Sequence, residues 1–210
     1  MMGLFVSFEG PDGSGKTTIT KYLTEYFIDK GEDILLTREP GGIGISEKIR
    51  NLILDPVHTE MDDRTEALLY AASRRQHLVE KIVPAVEAGR IVFCDRFVDS
   101  SLAYQGYARG IGIDEVWEIN KFAIDSHLPD ITIFIDCDPE IGLERTGKRG
   151  AKDRLEMEGF EFHKRVYEGY QEVIRRFPDR IRVIDGTGTV EAVAAQAIAI
   201  IEEVINERSN

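Results

Sequence analysis

The stretch GLFVSFEGPDGSGKTTITK, from Gly3 to Lys21, decides the fold of this 210-residue chain. Within it, the apolar run Leu4–Phe8 precedes the segment Gly10–Thr17, which fits the pattern GxxxxGK[ST], and a helical pattern starts at Lys16. The order strand, glycine loop, helix wraps backbone N–H groups around a polyphosphate and adds the positive end of the helix dipole. The stretch therefore predicts a site for nucleotide phosphates.

The residues of this loop have separate expected roles. Lys16 is expected to reach the β and γ phosphates, and the Thr17 hydroxyl to hold Mg²⁺. The glycines permit positive φ and leave no Cβ between the backbone and a ligand. An ordinary glycine turn would use the same residue types, but the position between a strand and a helix favours phosphate binding. The residues predicted to face the donor nucleotide are Gly10, Pro11, Asp12, Gly13, Ser14, Gly15, Lys16, Thr17 and Thr18.

Composition limits the classes of partner. The net charge is −12 and no Lys/Arg cluster forms a polybasic patch, so neither a nucleic acid nor a membrane surface is expected as a partner. Any anionic ligand must then be held by individual arginines and backbone amides. Cys94 and Cys137 each adjoin an apolar run, which favours buried free thiols. There is no 18-residue apolar run and no basic segment before a long apolar stretch, so we expect a soluble, cytoplasmic protein.

Five short β-rich runs alternate with helical patterns, which is typical of a parallel sheet. Their continuous apolar character indicates helices on both faces, and hence an α/β fold with a doubly wound five-stranded parallel sheet. No repeat or linker divides the chain, so we expect a single domain over residues 1–210. Ligands of such sheets bind beyond the carboxyl ends of the strands. The predicted strands are Leu4–Phe8, Asp33–Thr37, Ile91–Cys94, Ile131–Ile135 and Ile181–Ile184.

Charged residues follow two of these strands. Arg38 and Glu39 come after the second strand, where Pro40 fixes the shape of the loop. Asp95 and Arg96 come after the third. In a chain with a phosphate loop, an aspartate at this point lies on the Mg²⁺ side of the site. The guanidinium beside it suits a phosphate. Solvated loops without function would carry the same charges.

Two helical stretches place polar and aromatic side chains on shared faces. Tyr70 and Arg74 are spaced i, i+4, so the ring could stack on a planar base while the guanidinium bonds its edge. Ser101, Tyr104 and Gln105 also share a face. A surface cation–π pair and a solvated helix face are the alternatives.

Apolar spacing in the same regions predicts helix packing. Leu68, Leu69, Ala72 and Val79 form an apolar stripe within the predicted helix 62–86. A later helix, expected to be capped by Asp114, carries four apolar residues at core spacing. Its segment Asn120–Ala123 resembles a guanine-reading NKxD box without the required aspartate, which argues against a GTPase switch. The four apolar residues are Val116, Trp117, Ile119 and Phe122.

A basic segment near residue 150 stands out in this acidic chain. The run Thr146–Arg154 packs cations between and beyond two glycines, which could act as hinges. We interpret residues 146–156 as a lid that closes over phosphates. A solvated basic face is the alternative.

Four segments together resemble the thymidylate kinase family over essentially the whole chain: FEGPDGSGKTT (Phe8–Thr18), TREPGG (Thr37–Gly42), CDRFVDSSLAYQGYARG (Cys94–Gly110) and DRLE (Asp153–Glu156). The resemblance implies a P-loop kinase fold with a short lid. It also implies a homodimeric, Mg²⁺-dependent enzyme that transfers the γ-phosphoryl of ATP to dTMP, giving dTDP.

The resemblance also implies roles for individual residues. The phosphate loop binds ATP, and Asp12 lies near the 3′-hydroxyl of dTMP. Arg38 and Arg96 hold the acceptor phosphate, and Tyr104 crowds the sugar 2′ position. Glu9 and Asp95 resemble carboxylates on the metal side with Thr17. The dTMP residues implied are Asp12, Arg38, Tyr70, Arg74, Arg96, Ser101, Tyr104 and Gln105.

One subtype feature bears on catalysis. Some members place an arginine within the phosphate loop, but residues 11 to 14 here are Pro, Asp, Gly and Ser, as in the bacterial type. The transition-state cation is then expected from the lid, from Arg149 or Arg154, acting with Lys16 and Arg96. Two alternatives stay open: a related kinase acting on another base, and an ATP-dependent switch without catalysis.

Overall fold

The computed structural model describes residues 3–146 and 153–209 of the chain. Its five strands form one parallel sheet in the order β2-β3-β1-β4-β5. Each predicted strand is present, with ends that differ by at most one residue. The strands are β1 Leu4–Glu9, β2 Ile34–Arg38, β3 Ile91–Asp95, β4 Ile131–Asp136 and β5 Ile181–Asp185.

Helices connect the strands and cover both faces of the sheet. Two π-helical segments, Leu78–Ile82 and Leu102–Ala108, continue α3 and α5. None of the helices in the described ranges has both the length and the apolar character needed to cross a membrane. The helices are α1 Lys16–Asp29, α2 Gly44–Leu54, α3 Asp63–His77, α4 Val83–Glu87, α5 Val98–Ser101, α6 Ile113–Ile124, α7 Pro139–Thr146, α8 Phe160–Arg176 and α9 Val190–Ser209.

Apolar residues of the inner strands pack on two sides. On one face Val6, Phe8 and Ile133 meet α1 and α9. On the other face Phe5 and Phe134 meet the helices that follow β3 and the long helix α8. Burial on both faces explains the continuous apolar runs of the central strands. The doubly wound α/β sheet is confirmed, and both predicted free cysteines are buried.

Three packing predictions need correction. The stripe on α3 turns outward: Leu68 and Val79 are exposed, while Ala67, Ala71 and Leu78 are buried. The register of α3 is instead set by buried polar side chains on its inner face, treated below. In α6, Phe122 is 91% exposed. Gly112 precedes the helix at the N-cap position, so Asp114 belongs to the first turn and does not cap it.

Sheet order positions the ligand edge. The central strand β1 leads into the phosphate loop, with β3 and β4 on either side. Parallel pairing aligns Phe8 and Arg38 with Asp95, so the loops after β1, β2 and β3 meet at one edge. The predicted ligand-binding residues of these loops therefore converge.

Candidate active site

The phosphate loop has the backbone that its glycines predict. It runs from the end of β1 to α1, with φ of 78° at Gly13 and 94° at Gly15, both in the left-handed region that favours glycine. Gly15 occupies the N-cap position of α1. Thr18 and Ile19 already donate to Gly15 O, while the N–H groups at a helix start have no intrahelical acceptor and add to the positive end of the dipole. The loop is thus shaped to bind an anion.

Lys16 lies beneath the loop. Its ammonium donates to the carbonyl oxygens of Gly10 and Pro11, each at 2.9 Å, and the side chain is buried. Burial, together with the positive charge of Arg96, lowers the pKa of Lys16 to about 8. Nearby, the buried Ser14 hydroxyl has no hydrogen-bond partner within the described part of the chain. A polyanion would supply both groups with the partners they lack.

A hydroxyl and a carboxylate meet beside the loop. Thr17 Oγ1 donates to Asp95 Oδ2 over 2.9 Å, which joins the start of α1 to the end of β3. Such oxygen ligands suit Mg²⁺, which usually keeps additional ligands from water and substrate phosphates. Within residues 3–146 and 153–209, no group of three His, Cys, Asp or Glu side chains could hold a metal on its own. The pair therefore fits a Mg²⁺ ion that arrives with a nucleotide.

Glu9 does not join this pair, which corrects its assignment as a metal-side carboxylate. Its side chain points into the protein, where the carboxylate accepts from Phe97 N at 2.7 Å, Ser100 Oγ at 2.6 Å and Tyr170 Oη at 2.9 Å. Burial and the neighbouring Asp99 raise the pKa of Glu9 to about 7. Glu9 thus supports the residues around Arg96.

Arg96 lies at the centre of the site. Its guanidinium donates to Asp12 Oδ1 at 2.5 Å, Tyr170 Oη at 2.8 Å and Tyr104 Oη at 3.2 Å. Burial opposes ionisation of Asp12, but Arg96 and Lys16 outweigh it and lower the pKa of Asp12 to about 2. The backbone of Arg96 has φ of 69°, a conformation that costs energy and recurs at functional sites.

Arg74, predicted to bond the edge of a base, is buried and held from several sides. It donates through Nε to Glu39 Oε2 at 2.8 Å and through Nη2 to Phe97 O at 3.0 Å. Nη1 donates to Ser101 Oγ at 3.1 Å and to Asn120 Oδ1. Since a guanidinium has five N–H groups, one on Nη2 is left for a ligand.

Sequence reasoning missed the residues that support Arg74. His77 lies between Thr37 Oγ1 at 2.8 Å and Glu39 Oε1 at 3.1 Å, so Glu39 contacts both His77 and Arg74. Asn120, dismissed as an incomplete guanine box, is a further partner. The spacing of Arg74, His77 and Leu78 on one helical face was the available signal, although it names no partner.

The predicted acceptor-side residues line one cavity of about 250 Å³ together with the phosphate loop. Tyr104 Oη donates to Asp12 Oδ2 at 2.8 Å, and Gln105 Nε2 donates to Glu66 Oε1 at 2.8 Å. Arg38 reaches the cavity while paired with Glu47 at 2.9 Å. The structure thus brings together Asp12, Arg38, Tyr70, Arg74, Arg96, Ser101, Tyr104 and Gln105.

The lid arginines have different outcomes. Arg149 lies outside the described residues. Arg154 donates through Nε to Ile53 O at 2.8 Å and through Nη2 to Glu66, and it does not line the main cavity. The described geometry therefore does not bring Arg154 to the phosphate loop. Arg145, in the last turn of α7, does reach it, with Nη1 3.4 Å from Gly13 O.

Comparison with known proteins gives a consistent result. The family model described as Thymidylate kinase matches residues 8–197. A thymidylate kinase of Geobacillus sp. (strain WCH70) is 59% identical over 210 residues, covering 99% of this chain and all of the relative. One from Oceanobacillus iheyensis is 57% identical, covering 99% and 93%. The crystal structure of thymidylate kinase from Ehrlichia chaffeensis matches with a TM-score of 0.79 and 34% identity, covering 96% of this chain and 100% of that one.

Proposed function

Because this chain belongs to the thymidylate kinase family, we propose that its cavity binds ATP at the phosphate loop and dTMP beside Tyr70 and Arg74. The enzyme phosphorylates dTMP to dTDP with ATP as donor. The observation that carries the site assignment is that one cavity is lined both by the phosphate loop and by Tyr70 and Arg74.

On the donor side, the loop N–H groups and the ammonium of Lys16 bind the ATP phosphates. Thr17 and Asp95 supply oxygens for Mg²⁺, which neutralises phosphate charge when bound. The orphaned Ser14 hydroxyl supports this assignment, since a phosphate oxygen would satisfy it. On binding ATP, Lys16 would exchange its hydrogen bonds to the carbonyls of Gly10 and Pro11 for phosphate oxygens.

On the acceptor side, Arg96 and Arg38 hold the phosphate of dTMP. Arg96 is already oriented by Asp12 and Tyr170, so little side-chain entropy is lost when the phosphate binds. Asp12 lies next to Tyr104, which agrees with a 3′-hydroxyl bound by Asp12 and a 2′ position closed by the ring.

At the far end of the cavity, Tyr70 stacks on thymine while Arg74 and two polar side chains meet its edge. The free Nη2 hydrogen of Arg74 suits the carbonyl oxygen at C4. Ser101 is fixed by Arg74 and Gln105 by Glu66, which makes both preorganised.

Catalysis in this site depends on alignment and charge more than on a general base. Phosphoryl transfer passes through a nearly free phosphoryl group, so in-line positioning and neutralisation supply most of the acceleration. Lys16 and Arg96 both line the cavity and supply positive charge there. A closed lid would add Arg149 and exclude water.

We further propose a homodimer built on the outward face of α3 and the adjacent α6. Leu68 and Arg75 of α3 share this face with Val79 of the π-helical segment that continues it. Arg75 Nη1 lies 3.4 Å from Ala123 O, next to the exposed Phe122. Exposed apolar side chains clustered on one face favour an interface. Sedimentation of Phe122→Asp against wild type would test it, with dissociation expected.

A cytoplasmic location and a single domain over residues 1–210 stay predictions from the sequence.

The experiment that tests this function measures ADP release with dTMP, dUMP, UMP, dCMP, AMP and GMP as acceptors. We expect dTMP to give the highest kcat/KM. A clear preference for another monophosphate would support the alternative of a related kinase with a different base. ATP binding without turnover on any acceptor would support a switch.

A further inference from the structure

Glu66 is a buried carboxylate that lies behind the base-binding end of the cavity. It precedes Tyr70 and Arg74 by one and two helical turns on α3, and its side chain is 0% exposed. Three side chains from different elements converge on it: Arg109 Nη2 at 3.2 Å, Arg154 Nη2, and Gln105 Nε2 at 2.8 Å from Oε1. Both carboxylate oxygens accept hydrogen bonds from these donors: Oε1 accepts from Gln105, and Oε2 accepts from the two arginines.

Because both oxygens of Glu66 act as acceptors, the carboxylate fixes the orientation of Gln105. The amide of Gln105 must turn its nitrogen to Glu66, because the opposite orientation would bring two acceptor oxygens together. The planar amide then directs Oε1 away from Glu66. Within the described part of the chain, no hydrogen bond is made to Oε1, and Gln105 lines the main cavity. The cavity therefore meets an acceptor at this position.

We propose that Glu66 is a positioning residue that selects the pyrimidine by fixing Gln105 as a hydrogen-bond acceptor. Thymine and uracil carry an N3–H donor, whereas cytosine has an unprotonated N3 acceptor at the same place. When the orientation of Gln105 is fixed, its Oε1 and N3 of cytosine are two acceptors facing each other, so neither receives a hydrogen bond. This inference rests on the proposed placement of the base in the cavity.

Arg109 and Arg154 connect Glu66 to parts of the chain other than Gln105. Arg154 reaches Glu66 from the end of the predicted lid segment 146–156, and its backbone N–H donates to Leu54 O at 3.0 Å. Arg109 follows the π-helical segment that carries Gln105, and it also pairs with Glu158 at 2.5 Å. A neutral side chain at position 66 would lose both ion pairs and would tolerate either orientation of the Gln105 amide.

The test compares equilibrium dissociation constants of dTMP, dUMP and dCMP for wild type and Glu66→Gln. We expect the ratio of the dCMP to the dTMP constant to fall by about tenfold or more, since Gln105 can now flip. The dUMP to dTMP ratio should stay within about twofold, because both bases carry N3–H. Glu158→Gln is the matched control: it makes the same change in the same network without contacting Gln105, and both ratios should hold.

The variant Gln105→Leu tests the placement of the base separately from the role of Glu66. If Gln105→Leu leaves the dCMP to dTMP ratio unchanged, the placement of the base fails. If it narrows the ratio but Glu66→Gln does not, only the role of Glu66 fails. In the double variant, Glu66→Gln should add nothing to Gln105→Leu, and an additive effect would overturn action through Gln105.

Loss of the Glu66 charge leaves two arginines facing each other and could prevent folding. The variant Glu66→Gln/Arg109→Gln restores the charge balance and gives the same readout. The ratio is informative even if both affinities weaken, since a purely structural defect would affect dTMP, dUMP and dCMP alike. An unchanged dCMP to dTMP ratio in this folded variant would also overturn the proposal.

Discussion

Gly142 of α7 packs directly against the carbonyl oxygen of Asp12: a Cβ atom added at Gly142 would lie 2.2 Å from that oxygen. The contact is reciprocal, since a Cβ at Gly13 would lie 2.0 Å from Gly142 O. The helix that leads into the lid therefore rests on the phosphate loop without any intervening side chain. A movement of α7 must therefore displace the phosphate loop.

Gly142→Ala should displace the phosphate loop and lower kcat/KM for ATP by about 10- to 100-fold, because small displacements of catalytic groups are costly. Steady-state kinetics with a thermal unfolding curve would separate this effect from loss of folding. Gly159→Ala is the control, since no atom lies within 4 Å of its added Cβ and its φ is −71°. Equal kinetics for Gly142→Ala and wild type would contradict the coupling.

Lys16→Ala should reduce kcat by at least about 10²- to 10³-fold while the protein stays folded. The lost ammonium is proposed to bind the transferring group, and it donates hydrogen bonds to two loop carbonyls. Circular dichroism would check the fold. Lys30→Ala, which removes exposed contacts with Glu202 and the Tyr26 ring away from the cavity, should behave as wild type. Near-normal turnover of a folded Lys16→Ala enzyme would remove the proposed role.

The ends of parallel strands and helical spacing selected several of the residues that line the cavity, and the family resemblance supplied their roles. Neither indicated Arg50 or Leu54, which also line it. Strand ends and helical spacing could not predict where a charged side chain points when its partner lies far away in the sequence. Glu9 sits at a strand end, as a metal ligand would, yet its partners Phe97, Ser100 and Tyr170 lie far along the chain. Arg154 pairs with Glu66, 88 residues away. Such pairings depend on how helices pack, which periodicity alone does not determine.

The outward turn of Leu68 and Val79 has the same cause. An apolar stripe predicts a buried face, but α3 buries Glu66, Arg74 and His77 because each has polar partners in the interior. Local apolar spacing could not reveal those partners.

Two substitutions at Tyr104 should separate bulk from hydrogen bonding. Tyr104→Ala should narrow the preference for dUMP over UMP about tenfold, because it opens the space near the 2′ position. Tyr104→Phe keeps the ring but loses the 2.8 Å bond to Asp12, so it should lower kcat/KM for both acceptors and keep their ratio. The measurement is kcat/KM for each acceptor. An unchanged ratio in Tyr104→Ala would locate sugar discrimination elsewhere.

Burial and Asp99 raise the pKa of Glu9 from 4.5 to about 7, which makes stability depend on pH. Between these values the native state holds a proton that the unfolded chain has lost, so the free energy of unfolding falls as pH rises. Glu9→Gln mimics the protonated acid. Relative to wild type, it should gain roughly 1–3 kcal/mol between pH 5 and pH 8.

Urea denaturation at pH 5, 6.5 and 8 would measure this gain. Glu32→Gln, at an exposed position, should keep the wild-type dependence on pH. A parallel pH dependence in wild type and Glu9→Gln would show that Glu9 titrates as it does in the unfolded chain.

The lid arginines should differ in the kinetic constant that they affect. Arg154 is tied to Ile53 and Glu66, so Arg154→Ala should weaken dTMP binding and lower the melting temperature, with kcat changed only a few-fold. If Arg149 neutralises charge that develops as the phosphoryl group moves, Arg149→Ala should lower kcat and kcat/KM together with little change in affinity. Arginines used in this way contribute about 10³ to 10⁵ in rate.

Both variants would be assayed at saturating ATP and dTMP, with equilibrium binding of each nucleotide measured in parallel. The comparison is matched, because each substitution removes one guanidinium from the same basic segment. If Arg154→Ala lost kcat to the same extent as Arg149→Ala, the contact with Glu66 would have to break during turnover. If neither variant lost kcat, the lid would only clamp ATP. The catalytic cation would then be sought among Lys16, Arg38 and Arg96, which line the cavity, and Arg145, which reaches the phosphate loop.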